Sequence, residues 1–276
     1  MRRWRLTQAS RFPPARAANA RAIIAPEKGA RKFPYPRTAK PRALAFSADP
    51  GQDQRKAMEE GENITILCHG FNRSGGDMGF MGAGLEALGI GNVAVSLPLT
   101  FRSLDYCAGL LRERVLCAAK GFKAVDFVGH SMGGLVIRAC INRFGIKRAR
   151  RCVFIATPHL GSPIARAVRL IPLYARVVKP INALQPSTEN SHLIAHAGVE
   201  IGVIWGSRNA ALLGRLFLRG ESDGRVEARS AWSADAKDAT ALPFGHKEIH
   251  RKKEAVILTA RFLRSGSFGS RGPTPA

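Results

Sequence analysis

The chain is poor in acid. Against 43 Lys and Arg stand only 20 Asp and Glu, a formal charge of +23 over 276 residues. It also has no run of about 18 apolar residues, which excludes a membrane-crossing helix by length. The five cysteines, at 68, 107, 117, 140 and 152, contain no Cys-x-x-Cys pair. No His/Cys/Asp group has metal-ligand spacing, so neither a metal nor another cofactor is expected. An odd number of cysteines, several in apolar runs, suits reduced thiols and a cytoplasmic setting. There is no internal repeat, no motif of a nucleic-acid-binding module, and no N-terminal apolar stretch long enough for a secretory signal. What remains is a globular protein with 45% hydrophobic residues, long enough for one α/β domain of about 200 residues and extra segments.

The positive charge is not confined to one end. Residues 1–60 hold 14 Lys/Arg against 5 Asp/Glu, and the rest holds 29 against 15. Such a field draws anionic lipid, nucleic acid or anionic substrates. With no nucleic-acid motif, two readings stand, an anionic membrane surface as partner or a basic composition with nothing specific bound, in a protein that is cytoplasmic or peripheral to a membrane. Oligomeric state cannot be read from the pattern. Residues 1–57, rich in Arg, Pro and Ala, have no periodic apolar face and read as a disordered basic arm. That arm is either a polybasic segment or an over-extended start, since Met58 stands just before the folded pattern. Residues 265–276, rich in Ser, Gly and Pro, read as a flexible tail.

Residues 58–264 carry the periodic pattern of a single domain. β-rich runs stand at Asn63–Cys68, Val93–Leu97, Ala124–Val128, Arg151–Ala156 and Glu200–Gly206, with a shorter one at Thr240–Phe244. Helical patterns lie between them, over Asp77–Leu88, Leu104–Ala119 and the stretch after Ser131, with a last helix from about Lys252 to Leu263. Alternation of this kind gives an α/β fold: a mostly parallel sheet covered by helices on both faces. Residues 164–200 interrupt it. They read as a small cap-like insertion with a basic amphipathic segment over Ile164–Lys179, divided by Pro172.

In a parallel sheet the loops after the strands gather along one edge. His69, Ser131, His159, Asp223 and His246 all follow predicted strands and therefore converge there. Ser131 sits in Gly129-His130-Ser131-Met132-Gly133, between an apolar strand and an apolar helix. A serine on such a turn is exposed and held in strained backbone, so Ser131 is the candidate nucleophile. Serine needs a base, and the base needs an acid to orient it. Seven histidines compete, at 69, 130, 159, 192, 196, 246 and 250. His246 is presented by a loop between the last strand and the last helix; His250, one turn on, is the competitor and otherwise a polar residue opening the helix. Asp223, in a turn before Gly224, is the candidate acid; Asp235 and Asp238 are alternatives in a polar stretch, and Asp126 inside its strand is structural. The Met132 N–H after the nucleophile and the Phe71 N–H on the first loop are candidate oxyanion donors. His69, Asn72, His159 and Leu160 are candidate substrate contacts, with His69 also expected to organise its loop.

With these residues in place the chain resembles the α/β-hydrolase superfamily, most of all small bacterial lipase-like and GPI inositol-deacylase-like serine esterases. The resemblance rests on ILCHGFNRS, VDFVGHSMGGLVIR, VFIATPHLGSPIA, ESDGRVEARSA and GHKEIHRKKEAVILTARFLRSGSF, in order over roughly residues 62–269. It implies that the Ser-Asp-Gly segment supplies the acid, Asp223, and the Gly-His segment the base, His246. Relatives commonly continue that histidine with Thr and Phe, whereas Lys247 and Glu248 follow here. The implied activity is hydrolysis of carboxylic esters of small molecules or lipids, with apolar acyl groups and no metal. An acyltransferase or thioesterase would use the same three residues. A catalytically inactive basic binding protein of the same fold is the reading from another class.

Overall fold

The structure is a computed structural model that describes residues 62–163, 198–209 and 217–269. The arm expected over 1–57 and almost all of the insertion expected over 164–200, including its basic segment, lie outside the described residues, as do His192 and His196.

Among the described residues six strands form one parallel sheet: β1 Asn63–Cys68, β2 Asn92–Val95, β3 Ala124–His130, β4 Ala149–Ile155, β5 Glu200–Gly206 and β6 Asp238–Leu242. Their order across the sheet is β2-β1-β3-β4-β5-β6. The helices are α1 Gly79–Ala87, α2 Leu104–Ala118, α3 Met132–Phe144, α4 Ala228–Ala231 and α5 Lys253–Ser265, with single 3-10 turns at Gly75–Met78 and Ile249–Arg251.

Strand side chains alternate between two cores. Ile64, Ile66 and Cys68 of β1, Phe127 of β3, Phe154 of β4 and Trp205 of β5 pack with α2 and α3. Their neighbours Leu67, Val128, Val153, Ile155 and Ile204 pack with α1 and α5 on the other face. Both faces are dry because helices cover both, which is why the central strands read as continuous apolar runs rather than alternating ones. Fully burying one such Leu, Ile or Phe is worth about 2 kcal/mol.

Some expected boundaries move, each for a local reason. β2 ends at Val95 rather than Leu97, because the Leu97 N–H leaves the ladder and donates to His69 Nε2 at 3.0 Å. β6 runs over Asp238–Leu242, two residues earlier than expected; Pro243 has no N–H to continue the ladder. The first residues of the expected tail are packed. Phe268 is fully buried against Phe262, and its N–H donates to Asp238 Oδ2 at 2.7 Å, so the chain stays packed beyond the end of α5.

Candidate active site

Strand order puts the turn after β3 near the middle of the sheet edge, between the loops after β1 and β4. Ser131 follows β3 directly, with φ 54° and ψ −124°, and α3 starts at the next residue. A left-handed φ is costly for a non-glycine residue and persists only where the surroundings enforce it. Here the enforcement is close approach. A Cβ at Gly133 would lie 2.4 Å from the Cys68 carbonyl oxygen, and one at Gly129 would lie 2.6 Å from Gly134 Cα. Only glycines let strand and helix pass that closely. Ser131 is part-exposed, whereas its neighbours His130 and Met132 are buried.

Three side chains from distant segments meet at this point. His246 Nε2 lies 2.9 Å from Ser131 Oγ, and His246 Nδ1 lies 2.7 Å from Asp223 Oδ2. Asp223 sits in a tight hairpin closed by the Ser222–Glu227 bridge. Its Oδ1 accepts from the Arg225 and Val226 amides at 2.9 and 2.8 Å. The carboxylate is thus buried with both oxygens engaged, the arrangement that holds an imidazole with its proton on Nδ1 and its lone pair toward the serine. The backbone repeats the link, since the His246 N–H donates to the Asp223 carbonyl at 3.0 Å.

The other acids weighed from the sequence are committed elsewhere. Asp235 takes both Nη atoms of buried Arg138, at 2.7 and 2.9 Å. Asp238 accepts from Ser267 and Phe268. Asp126 is tied to Arg150, whose Nε donates at 3.0 Å; burial pushes the Asp126 carboxyl up, against the pull of Arg150.

Of the residues expected to touch substrate, Asn72 and Leu160 are exposed and His159 is buried with its ring edge-on to Phe154. His69 departs from that expectation. It has no exposed surface; its Nδ1 donates to the Gly70 carbonyl at 2.8 Å while Nε2 accepts from Leu97. Both nitrogens serve the backbone, so His69 shapes the loop rather than facing a ligand. Burial lowers its pKa, which keeps the ring neutral for that double role. The loop it shapes passes directly over the serine: a Cβ on Gly70 would stand 3.2 Å from Ser131 Cβ. Phe71 is next in the chain on that loop, and Met132 opens α3, where the first amides have no carbonyl within the helix.

One cluster was missed. His130 and His250 stack at 3.8 Å between ring centroids with 23° between planes, and His250 Nε2 lies 3.1 Å from Asp77 Oδ2. Asp77 also pairs with Arg251, and Arg73 lies 3.8 Å from it. Ligand atoms of Asp77, His130 and His250 fall within 4.8 Å of one another. The geometry does not suit a metal: a ligated cation lies in the plane of each imidazole, and two rings stacked face to face cannot both point at it. Two guanidiniums beside the carboxylate oppose a cation further. A cavity of about 600 Å³ lies at the opposite sheet edge, lined by Glu62, Thr65, Asp126 and Arg150 near the strand starts and by Arg264 at the end of α5, away from Ser131.

A parallel sheet with helices on both faces and a serine on the sharp turn after a central strand defines the α/β-hydrolase fold. The chain belongs to the alpha/beta hydrolase family, whose family model matches residues 65–263. No curated protein matches it in sequence. Among solved structures it is similar to a lipase of Bacillus licheniformis in mature form, at 17% identity and TM-score 0.59 over 74% of this chain and 91% of the other. It is similar to a metagenomic carboxyl esterase at 15% identity and TM-score 0.60, over 75% and 76% of the two chains. It is also similar to the phospholipase PlaB from Legionella pneumophila, at 16% identity and TM-score 0.54, over 77% of this chain and 60% of that one. At these identities the likeness is one of fold. Among the described residues no helix is long and apolar enough to cross a membrane.

Proposed function

We propose that the protein is a serine hydrolase of carboxylic esters, with Ser131 as nucleophile, His246 as general base and acid, and Asp223 as the orienting carboxylate. The observation that carries this reading is the unbroken line from Ser131 Oγ through His246 to Asp223, at 2.9 and 2.7 Å. Ser131 Oγ attacks the ester carbonyl carbon while its proton passes to His246 Nε2. The Asp223 carboxylate stabilises the imidazolium without taking its proton. Oxyanion charge falls on the Phe71 and Met132 amides, helped by the positive end of α3. Collapse breaks the bond to the alcohol oxygen, which takes the proton from Nε2 and leaves an acyl-serine. Water then attacks that acyl carbon, again giving a proton to Nε2; collapse breaks the bond to Ser131 Oγ, which takes that proton back from Nε2 as the carboxylic acid leaves.

An apolar acyl group is the substrate class to expect. It is supported by the large apolar side chains exposed on segments that follow the strands, Phe101 after β2 and Leu160 after β4. The positive charge supports a lipidic ester at an anionic surface.

Labelling with a fluorophosphonate tests the assignment. The parent protein should label and Ser131→Ala should not. The variant's turnover of p-nitrophenyl esters should fall by about 10³-fold or more. Equal labelling of the two proteins, with both folded by circular dichroism, would remove Ser131 from the mechanism.

A further inference from the structure

His246 is pinned on three sides by its ring and its N–H, through Ser131 and Asp223. Its carbonyl is the remaining backbone group, and it meets His130 Nε2 at 3.0 Å. A carbonyl oxygen can only accept, so Nε2 must carry the proton. His130 immediately precedes the nucleophile. One side chain therefore spans from the nucleophile strand to the main chain of the base.

Burial and then the neighbouring His250 and His246 push His130 far below the ordinary imidazole range, so its ring is neutral with a single proton. That proton is spent on the His246 carbonyl. His130 Nδ1 is buried without a hydrogen-bond partner among the described residues, with the Gly70 backbone beside it. A buried nitrogen without a partner costs free energy, and the ring is held in that orientation by what packs on it. His250 lies flat against it at 3.8 Å, on the 3-10 turn Ile249–Arg251. Asp77, on the turn Gly75–Met78, lies 3.1 Å from His250 Nε2 and is itself paired with Arg251. The stack thus joins three elements: the loop after β1, the end of β3, and the segment that carries His246.

The geometry points to His130 as a positioning residue: its Nε2–H fixes the His246 main chain relative to Ser131, with His250 and Asp77 as the backing that holds the His130 ring. This rests on the reading of Ser131 and His246 as nucleophile and base. The effect would be on turnover rather than on binding, because the His130 side chain is buried.

Two substitutions separate the hydrogen bond from the bulk. His130→Leu keeps a side chain of comparable volume and removes the donor. His130→Gln keeps an N–H donor of similar reach. On a soluble p-nitrophenyl ester, kcat of His130→Leu should fall about 10- to 100-fold, the scale of a misplacement near 1 Å. KM should stay within about threefold. His130→Gln should recover at least about a third of the parental kcat. Long-range 1H–15N NMR reads the same geometry without substrate: the His246 Nδ1–H signal should be sharp in the parent and in His130→Gln, and broadened in His130→Leu. Parental kcat and spectrum in His130→Leu would overturn the proposal, as would equal impairment of the two variants at equal melting temperature. Should His130→Leu not fold, the 15N shifts of His130 in the parent decide, since an Nδ1–H tautomer overturns it and an Nε2–H tautomer supports it. If Ser131 proves not to be the nucleophile, the proposed activity fails, and the spectra still report whether His130 holds His246.

Discussion

Asp223 Oδ2 stands 2.7 Å from His246 Nδ1, while Asp223 Oδ1 is occupied by two backbone amides. The carboxylate therefore cannot rotate to offer anything but an acceptor to the ring. Asp223→Asn would present either an amide N–H or a competing orientation, and the favoured imidazole tautomer would reverse. We expect kcat to fall by about 10³- to 10⁴-fold with little change in melting temperature. Steady-state kinetics together with a thermal melt check this. A loss under tenfold would mean that another acid orients His246.

The Arg138–Asp235 pair makes an asymmetric prediction. The Arg138 side chain is 1% exposed and that of Asp235 is 19% exposed. Arg138→Met leaves a carboxylate that can reach water. Asp235→Ala leaves a guanidinium that cannot. Removing one partner of a buried pair costs about 3–5 kcal/mol. We expect Asp235→Ala at the upper end of that range and Arg138→Met at or below the lower end, measured by urea unfolding. The reverse order would show that the packing of Arg138 over the Phe154 ring, at 4.7 Å, outweighs its charge.

Acid should destabilise the protein in two stages. Burial is the leading cause that lowers the pKa of His69, His130 and His250 below the ordinary 6.5. Below pH 6.5 the unfolded chain therefore binds protons that the native chain refuses, and stability present above that pH is lost as it falls. Asp77 adds a second stage. Burial pushes its carboxyl up, but His250 and Arg251 outweigh burial and hold it at about 2, against an ordinary 3.8. Stability worth about 2 kcal/mol is thus present above pH 4 and lost toward pH 2. Melting temperature should begin to fall below pH 6.5 and steepen below pH 4. In His130→Gln the first slope should be shallower. A flat profile from pH 7 to 5 would contradict the neutral, buried histidines.

Much of this architecture is legible along the chain because it is local. The apolar runs from Asn63 to Gly206 and the helical patterns between them depend on periods of two and of about 3.6, which a sequence displays directly. The strained serine turn is equally local: Gly129 and Gly133 flank Ser131 within five residues, and the clash each would make with a Cβ follows from strand meeting helix. The parallel sheet then follows, since each helical stretch is long enough to carry the chain back to the same end of the sheet, the crossover that parallel strands require. Even the candidate trio of Ser131, Asp223 and His246 can be proposed from chain order and loop placement.

What the chain does not display is which polar groups meet across the sheet edge. Asp235, Asp238 and Asp223 lie within 16 positions of one another, yet Arg138 claims the first, the chain after α5 claims the second, and only the third faces a histidine. His69 resembles a substrate contact in its loop, but the Leu97 N–H turns it inward. The stack of His130 on His250, backed by Asp77, joins residues 53 and 120 positions apart in the chain. No period or motif encodes such a contact, because it depends on strand register and on how far each loop folds back over the sheet. Local chemistry along the chain determined that there would be a strained serine turn on a parallel sheet. Tertiary packing decided which acid reaches His246 and which buried ring meets its carbonyl, since a hydrogen bond is made or lost within a few tenths of an ångström.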